Sequence, residues 1–266
     1  MKIIALVKYS MDVAELKVDA TSCALRMAGV PYRFGDLDKG VVEASVLLKE
    51  ACGADLEVLS FGPPPALGAM KDLLAMGADE ATLVEDPYGG NADGAVVVRV
   101  LEAAVRKRGP FDLLVCGFAS DDGYSHQIGP RLAERLELPL VSYARALRIE
   151  GDLLFADRDL EESLQSVNTP LPAIVSVAEE AFVPRTVTLI QAMKAQKKPN
   201  NLLSLEDLGL TSDELDQFSA YFALGETGVV VNRQQHMVKG QDLEEMADRL
   251  IGYLVDDQVL VLQGGA

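Results

Sequence analysis

Several features on which whole classes of proteins depend are scarce or absent in this sequence. None of the 266 residues is tryptophan, and aromatic side chains make up only 6%. Cations are also in short supply, since 24 lysines and arginines face 41 aspartates and glutamates, which gives a formal net charge of −17. Because nucleic-acid binding needs clustered cations and stacking aromatics, and anionic membranes also attract cations, we exclude both as general partners.

Long apolar runs and paired cysteines are absent as well. The apolar run at residues 3–7 ends at Lys8, and no stretch approaches the roughly 18 apolar residues of a membrane-spanning helix or the pattern of a signal peptide. The cysteines Cys23, Cys52 and Cys116 are far apart and form no CxxC pair. We therefore expect reduced thiols, no metal site, and a cytoplasmic location or, after removal of a targeting segment, an organelle matrix.

What the chain does contain is an alternation of short apolar runs with segments of helical periodicity. Strands are predicted at 3–7, 56–61, 81–84, 113–116, 141–149, 153–157 and 173–177, and helices at 38–52, after the Gly-Pro-Pro-Pro stop at 62–65, at 94–108 and at 127–136. Strands that alternate with helices of this length predict right-handed βαβ units. The expected fold is therefore α/β, with a doubly wound, mostly parallel, Rossmann-like sheet.

Two segments interrupt this plan. Residues 9–37 form an excursion between the first strand and its helix that is much longer than an ordinary βα loop. Residues after 199 show little periodicity until an amphipathic helix near 242–255. We predict an α/β domain over residues 1–198 and a C-terminal extended arm with a helix over 199–266, which wraps either its own domain or a partner.

The loop after the strand at 113–116 is the best candidate for a ligand site. It runs from Gly117 through Asp122 and Ser125 into a helix predicted to start at Gln127. Ligands of open α/β sheets bind beyond the carboxyl ends of strands, where a helix N-terminus offers N–H groups to a phosphate. The spacing is equally compatible with Asp122 and Ser125 acting only as helix caps. Neither GxGxxG after the first strand nor GxxxxGK[ST] is present.

A reversal of charge marks residues 181–205, where no aspartate or glutamate occurs. Arg185, Lys194, Lys197 and Lys198 fall inside this window. One interpretation is a lysine-rich helix end that complements the helix dipole. The interpretation we favour is a basic strip that docks onto an acidic protein surface.

A series of short motifs occurs in order over residues 1 to about 210. They are Leu6-Val7-Lys8, Asp38-Lys39, Ser60-Phe61-Gly62-Pro63, Leu74-Ala75-Met76-Gly77-Ala78-Asp79, Asp122-Gly123 with Gln127, Gly129 and Pro130, Leu171-Pro172-Ala173, Pro184-Arg185, and Met193-Lys194-Ala195-Gln196-Lys197-Lys198-Pro199. Together these motifs resemble the beta subunit of electron transfer flavoproteins.

The resemblance implies a heterodimer with an alpha subunit that carries FAD. In most members the beta subunit binds AMP and has no redox chemistry of its own, whereas in electron-bifurcating members a second FAD takes that place and NAD(H) reacts there. Both AMP and FAD stay open for this chain, and so does its status as an enzyme. The segment 180–198 would dock onto acyl-CoA-type or other flavin dehydrogenases, and a quinone oxidoreductase is a further implied partner.

The resemblance also implies site residues, none of them catalytic. The expected backbone contacts to adenine are Val7, Lys8, Ser60 and Phe61; the expected contacts to ribose and phosphates are Asp122, Gly123, Ser125, His126, Gln127 and Ile128; Tyr9, Asp38, Gly62, Ser120 and Tyr124 complete the nucleotide site. The expected docking residues are Val183, Arg185, Lys194, Lys197 and Lys198.

Departures from the family pattern leave two outcomes open at the nucleotide site. Gly35 or Asp36 stands where the family has asparagine, so one ligand contact is missing. Phe61 and Tyr124 are bulkier than usual, and they either narrow the pocket enough to exclude FAD or stack on the adenine ring.

Two other functions use the same kind of sheet. One is a stand-alone adenine-nucleotide enzyme that acts at the α-phosphate, but such enzymes carry an SGGxDS loop after the first strand and residues 8–12 do not match it. The other is a nucleotide sensor resembling universal stress proteins, which the long segment after residue 199 disfavours.

Overall fold

The structure is a computed structural model that describes residues 1–19, 22–86, 92–217, 236–257 and 259–260. The chain divides into two units, one formed by Met1–Lys17 and Arg26–Gly225 and the other by Val18–Leu25 and Glu226–Ala266. The first unit contains a nine-stranded sheet between layers of helices, which confirms the predicted α/β class.

The strands are β1 (Lys2–Leu6), β2 (Tyr9–Met11), β3 (Lys17–Val18), β4 (Leu25–Arg26), β5 (Tyr32–Phe34), β6 (Asp55–Gly62), β7 (Glu80–Glu85), β8 (Leu113–Gly117), β9 (Leu140–Glu150), β10 (Leu153–Leu160), β11 (Ser163–Pro170), β12 (Ala173–Val177) and β13 (Asn200–Leu203). The α-helices are α1 (Asp36–Cys52), α2 (Ala66–Met76), α3 (Gly94–Arg108), α4 (Ile128–Leu136), α5 (Leu189–Ala195), α6 (Ser212–Asp216) and α7 (Leu243–Asp256). No helix in the described part is long and apolar enough to cross a membrane.

The order of strands in the sheet determines where a ligand can bind. It is β11-β10-β9-β12-β8-β1-β6-β7-β13, parallel from β9 to β13 and antiparallel only at β9-β10-β11. From β1 the chain adds β6 and β7 on one side and β8 on the other. The direction of winding therefore reverses between β1 and β8, and the crevice at the carboxyl ends of these two strands is the topological switch point.

Burial on both faces explains why the central strands are apolar runs rather than alternating sequences. Ile3 and Ala5 of β1 pack in one core with α1 and α2, whereas Ile4 and Leu6 pack in the other core with α3 and α4. At least three of these four side chains are completely buried. Ile3 and Ile4 each contribute about 1.5–3 kcal/mol relative to an exposed position.

The first unit continues past the domain end that we predicted at residue 198. Asn200–Leu203 forms β13, which pairs in parallel with β7, and Leu210 and Leu215 are buried in the core on the α3 side. The sequence did not indicate β13 or β11, because β13 is a four-residue edge strand and β11 is largely exposed and polar. Residues 218–235 and 261–266 of the predicted arm lie outside the described residues.

The predicted excursion at residues 9–37 contains two short strand pairs, of which β2–β5 is antiparallel. β2 pairs with β5, opposing Tyr9 to Phe34, and β3 pairs with β4. The Tyr9 ring packs against Tyr32 and Phe34 at centroid distances of 5.9 and 5.4 Å. This small aromatic cluster holds the excursion together where it returns to α1.

In the second unit, α7 appears where an amphipathic helix was predicted. Asp242 caps its start by accepting a hydrogen bond from the N–H of Glu245, and the His236 ring stacks on Tyr253 at 4.2 Å. All residues of α7 are described, and none of them is buried. The apolar side chains Leu243 and Leu250 are therefore left exposed.

Candidate functional site

A cavity of about 250 Å³ lies at the switch point, beyond the carboxyl ends of β1 and β8. Its walls are the end of β1, Phe61 of β6, the loop after β8, and the first residues of α3 and α4. Leu6, Phe61, Val97 and Leu101 make part of this surface apolar. Parallel strands bring these segments to one edge of the sheet, although they are far apart in the chain.

Most of the nucleotide-site residues expected from the sequence meet in this cavity. Those that line it are Val7, Lys8, Asp38, Phe61, Ser120, Gly123, Ser125, His126, Gln127 and Ile128. Those that are not part of its lining are Tyr9, Ser60, Gly62, Asp122 and Tyr124. The structure thus assembles the loop at 117–128 with the end of β1, as the sequence suggested.

Two of the residues outside the lining are turned away by the geometry of strands. Ser60 and Phe61 are neighbours in β6, so their side chains point to opposite faces of the sheet. Phe61 faces the cavity, whereas Ser60 is completely buried and its Oγ has no hydrogen-bond partner among the described residues. Tyr9 is occupied in the aromatic cluster with Tyr32 and Phe34. The Ser60 side chain is therefore not available to a ligand in the cavity.

Tyr124 neither narrows the cavity nor lines it. Its ring is 51% exposed and meets Phe118 edge-on at 5.4 Å, and its hydroxyl donates to Oε2 of Glu179 at 3.1 Å. This hydrogen bond raises the pKa of the Tyr124 hydroxyl. Of the two bulky departures from the family, Phe61 alone therefore shapes the cavity wall.

The loop backbone around Tyr124 is held in an unusual conformation. Tyr124 and His126 have φ values of 42° and 58°, in the left-handed region that side-chain-bearing residues rarely adopt. Nδ1 of His126 lies 3.1 Å from the hydroxyl of Tyr143, whose own φ is 58°. Strained residues of this kind persist only where the surrounding contacts hold them, and they occur frequently at ligand sites.

Lys8 and Asp122 close the loop onto the end of β1. The Lys8 Nζ lies 2.7 and 2.8 Å from the two carboxylate oxygens of Asp122, and Ser120 Oγ donates to the same carboxylate at 2.9 Å. The positive charge of Lys8 is thus already balanced by the negative charge of Asp122. A bound phosphate would have to rely mainly on other donors.

Asp38 is a buried carboxyl group at the start of α1. It accepts hydrogen bonds from the backbone N–H of Lys8 at 2.7 Å and of Gly35 at 3.3 Å. Burial raises its pKa to about 7, and the charge of Asp121 adds to the increase, whereas the two N–H donors oppose it. Asp38 therefore ties the end of β1 to α1 and titrates near neutral pH.

Steric crowding explains why glycine occupies position 35, where the family carries asparagine. A Cβ on Gly35 would overlap the carboxylate of Asp121. The space of the expected side chain is thus taken by Asp121, whose pKa burial raises.

The start of α4 supplies the donors that the cavity otherwise lacks. Gln127 is the N-cap residue, and no side chain in the described part caps the helix. The N–H groups of the first turn have no acceptors within a helix, and here they border the cavity at Gln127 and Ile128. Apolar walls beside such donors suit a ligand with a flat ring at one end and a phosphate at the other.

Two kinds of reactive group can be checked in the cavity, a metal ion and a thiolate. In the described ranges, no group of three histidine, cysteine or acidic side chains could hold a metal ion. Cys116 lines the cavity, but burial raises its pKa to about 12, so the thiol stays protonated at neutral pH.

The basic strip expected at 181–205 separates into two kinds of cation. Arg185 is held against α1, with Nε 2.8 Å from Glu43 and Nη1 2.6 Å from Glu50. Lys198 donates to the carbonyls of Leu74 and Ala78 at the end of α2. The side chains of Arg185 and Lys198 therefore make their contacts with other residues of this chain.

Lys194 and Lys197 are the exposed members of the strip. Neither has a carboxylate within ion-pair distance in the described part of the chain. Exposed apolar side chains accompany them: Val183, Leu189, Ile190 and Met193 are between 65% and 80% exposed, and of these four only Val183 was among the docking residues expected from the sequence. Leu189, Ile190 and Met193, three large apolar residues among the first five of a short helix, are the signal in the sequence that could have indicated this surface.

Comparison with known proteins places these features in a family. Residues 24–208 match the electron transfer flavoprotein domain. The electron transfer flavoprotein subunit beta of Thermoanaerobacterium thermosaccharolyticum is 34% identical over 81% of this chain and 83% of its own length. The caffeyl-CoA reductase–Etf complex subunit CarD of Acetobacterium woodii is 31% identical over 80% and 82% of the two chains. The acryloyl-CoA reductase electron transfer subunit gamma of Anaerotignum propionicum is 30% identical over 84% and 86%.

Proposed function

Because the chain belongs to the electron transfer flavoprotein family as a beta subunit, we propose that it binds an adenine nucleotide in the cavity at the switch point. In this role it assembles with an alpha subunit and supports electron transfer through the FAD of that partner. The observation that carries the proposal is the uncapped start of α4 at the edge of a partly apolar cavity. The cavity suits both parts of an adenine nucleotide.

The proposed contacts follow from the positions of the residues. The adenine would lie against the backbone of Val7 and Lys8 and the ring of Phe61, and the first phosphate would accept from the N–H groups at Gln127 and Ile128. Held there, AMP would contribute charge and packing only, whereas FAD would add a redox-active ring. The protein's task in either case is to position the group and exclude water.

The docking surface is the second part of the proposal. Val183, Leu189, Ile190 and Met193 form an exposed apolar patch beside Lys194 and Lys197. A contiguous apolar patch with a basic rim is typical of a surface that binds another protein, and the implied partner is an acidic flavin dehydrogenase. Arg185 and Lys198 would support this surface from below rather than contact the partner.

The C-terminal region would bind the alpha subunit. No residue of α7, every one of which is described, is buried, so its apolar side chains need a covering surface. An alpha subunit supplies that surface in this proposal, which keeps the predicted role of the region after residue 226.

The nucleotide content of the heterodimer tests the proposal. Co-expression with the alpha subunit is expected to give a yellow 1:1 complex that releases, on denaturation, one FAD with one AMP or two FAD. Ser125→Asp should abolish retention of the second nucleotide by placing a negative charge at the phosphate position, whereas Ser125→Ala should retain it. Chromatography of the released nucleotides measures both. A wild-type heterodimer that yields a single FAD and no other nucleotide would contradict the proposal.

A further inference from the structure

Arg131, in the first turn of α4, is an exception among the described arginines. Of the arginines that the structure describes, it is the one whose guanidinium makes no hydrogen bond and no ion pair. The protein contains 41 acidic residues, so a carboxylate partner is easily available to most arginines. Arg135, one turn later on the same helix, is paired with Glu102 at 2.6 Å.

The position of Arg131 places its charge at the edge of the cavity. It follows Gln127 by one helical turn, and its N–H donates to the carbonyl of Gln127 at 3.0 Å, so the two side chains share a face of α4. Nη1 of Arg131 would lie 3.8 Å from a Cβ on Gly94, the first residue of α3, and Oε1 of Gln127 would lie 3.9 Å from the same point. Gly94 and Gln127 both line the cavity.

A cation in the first turn of a helix is unfavourable on electrostatic grounds. The N-terminal end of a helix carries a partial positive charge, and here the starts of α3 and α4 both lie near the guanidinium. An anion between these donors would stabilise the arrangement. The nearest cation in the cavity lining, Lys8, is already neutralised by Asp122.

The charges at the site therefore set different requirements for binding a first phosphate and a second one. The first can be held by the N–H groups at the start of α4, which requires no cation. A second phosphate adds further negative charge beside the Asp38 carboxyl and the mutually neutralised Lys8–Asp122 pair, and it needs a countercharge. The guanidinium of Arg131 is placed to supply one, with a planar fork that suits a phosphate.

We infer that Arg131 is a specificity-determining residue that favours ligands carrying a pyrophosphate on adenosine over adenosine monophosphate. The inference rests on the proposed nucleotide function of the cavity and names the ligand chemistry more narrowly. ADP and FAD share this chemistry, and they differ in the group beyond the second phosphate.

Calorimetric titration of the heterodimer, freed of its beta-subunit nucleotide and still holding the FAD of the partner, tests the inference. Wild-type protein, Arg131→Gln, Arg131→Lys and the control Arg145→Gln are each titrated with AMP, ADP and FAD. Arg145 is an exposed arginine paired with Asp159 on the antiparallel part of the sheet. Arg145→Gln therefore changes the net charge by the same amount as Arg131→Gln. The wild type should bind ADP about tenfold more tightly than AMP, as expected for one charge-assisted contact.

Each possible result either supports or overturns the inference. Arg131→Gln should remove the preference for ADP while AMP affinity stays within about twofold, Arg131→Lys should keep part of it, and Arg145→Gln all of it. FAD bound as tightly as ADP, with the same loss in Arg131→Gln, would identify a dinucleotide as ligand; FAD excluded while ADP binds would identify a nucleoside diphosphate. An ADP preference that survives Arg131→Gln, or equal losses for AMP and ADP, would overturn the inference and leave the nucleotide function standing. Failure of all three ligands to bind the wild type would overturn both.

Discussion

The cavity at the switch point and the exposed surface of α5 present different chemical groups. The cavity presents mainly main-chain groups, whereas α5 presents side chains. In the cavity, backbone N–H groups at the start of α4 are the main donors, and the Lys8 and Asp122 charges neutralise each other. On α5, the exposed side chains Leu189, Ile190 and Met193 form the surface, and the backbone is satisfied within the helix. A backbone site depends on how elements are placed, whereas a side-chain surface depends on which residues are present.

One helix connects the two regions. α1 carries Asp38 at its start, where it borders the cavity, and Glu43 and Glu50 further along, where they hold Arg185. Gly40 of the same helix leaves room for the carbonyl of Phe182 in the loop that leads to α5. We therefore expect changes in Arg185 to affect the docking loop first, and the cavity only if α1 itself moves.

The largest effect should come from Arg185→Met. The substitution leaves Glu43, which is 5% exposed, without its cation, and an uncompensated buried charge should cost about 3 kcal/mol of stability. Urea unfolding measures the loss, and the double variant with Glu43→Gln should recover part of it. Nucleotide content should stay unchanged while docking weakens; loss of both together would show that the two regions are not independent.

A smaller effect is expected from the titration of Asp38. Its pKa in the folded protein, about 7, lies above the value near 4 of an unfolded aspartate, so the protonated form is favoured by folding. The stability that this supplies is fully present below pH 4 and is lost as the pH rises through 7.

Comparison with Asp38→Asn isolates this contribution. The free energy of unfolding of the wild type, relative to the variant, should fall by about 2 kcal/mol between pH 5.5 and 7.5. Parallel urea titrations at these pH values measure it. A pH-independent difference would show that Asp38 stays ionised in the fold, and the cavity would then hold one more negative charge at neutral pH than we infer.

The smallest effect should come from Ile190→Asp, and it should be confined to docking. Removing an apolar contact and adding a like charge to an acidic partner should slow electron transfer from a flavin dehydrogenase about tenfold, with little change in stability. Stopped-flow reduction of the heterodimer measures this rate. Met27→Asp, at another exposed apolar residue, is the matched control and should leave the rate unchanged. Equal slowing in both variants would remove α5 as the docking surface.

Much of the fold could be predicted from the sequence because the core strands are buried on both faces. The helix at 94–108 and the strand at 173–177 have the bounds that their apolar patterns indicated. The edge strands β11 and β13 were not predictable in this way, because a strand with one exposed face or only four residues leaves little pattern. The position of the proposed ligand loop, after a central parallel strand, was suggested by a general rule for parallel sheets.

The arrangement of side chains at the site needed the structure. Adjacent residues of a strand face opposite ways, so Phe61 reaches the cavity and Ser60 does not. The sequence shows Tyr124 as a bulky loop residue, but only the left-handed backbone and Glu179 reveal that it points away. Likewise, the charge of Arg185 is visible in the sequence, whereas its pairing with α1 is not.

An acidic composition, the α/β class, the resemblance to electron transfer flavoprotein beta subunits, a candidate ligand loop after β8 and a basic segment near α5 can all be recognised in the sequence alone. These conclusions rest on local patterns and short motifs, which a chain carries whatever its fold. Which charges are available to a ligand or partner depends on the folded arrangement. Lys8 pairs with Asp122 and Arg185 with Glu43, while Arg131 stays unpaired. Charges pair through space, between residues that the folding of the sheet brings together from distant parts of the chain.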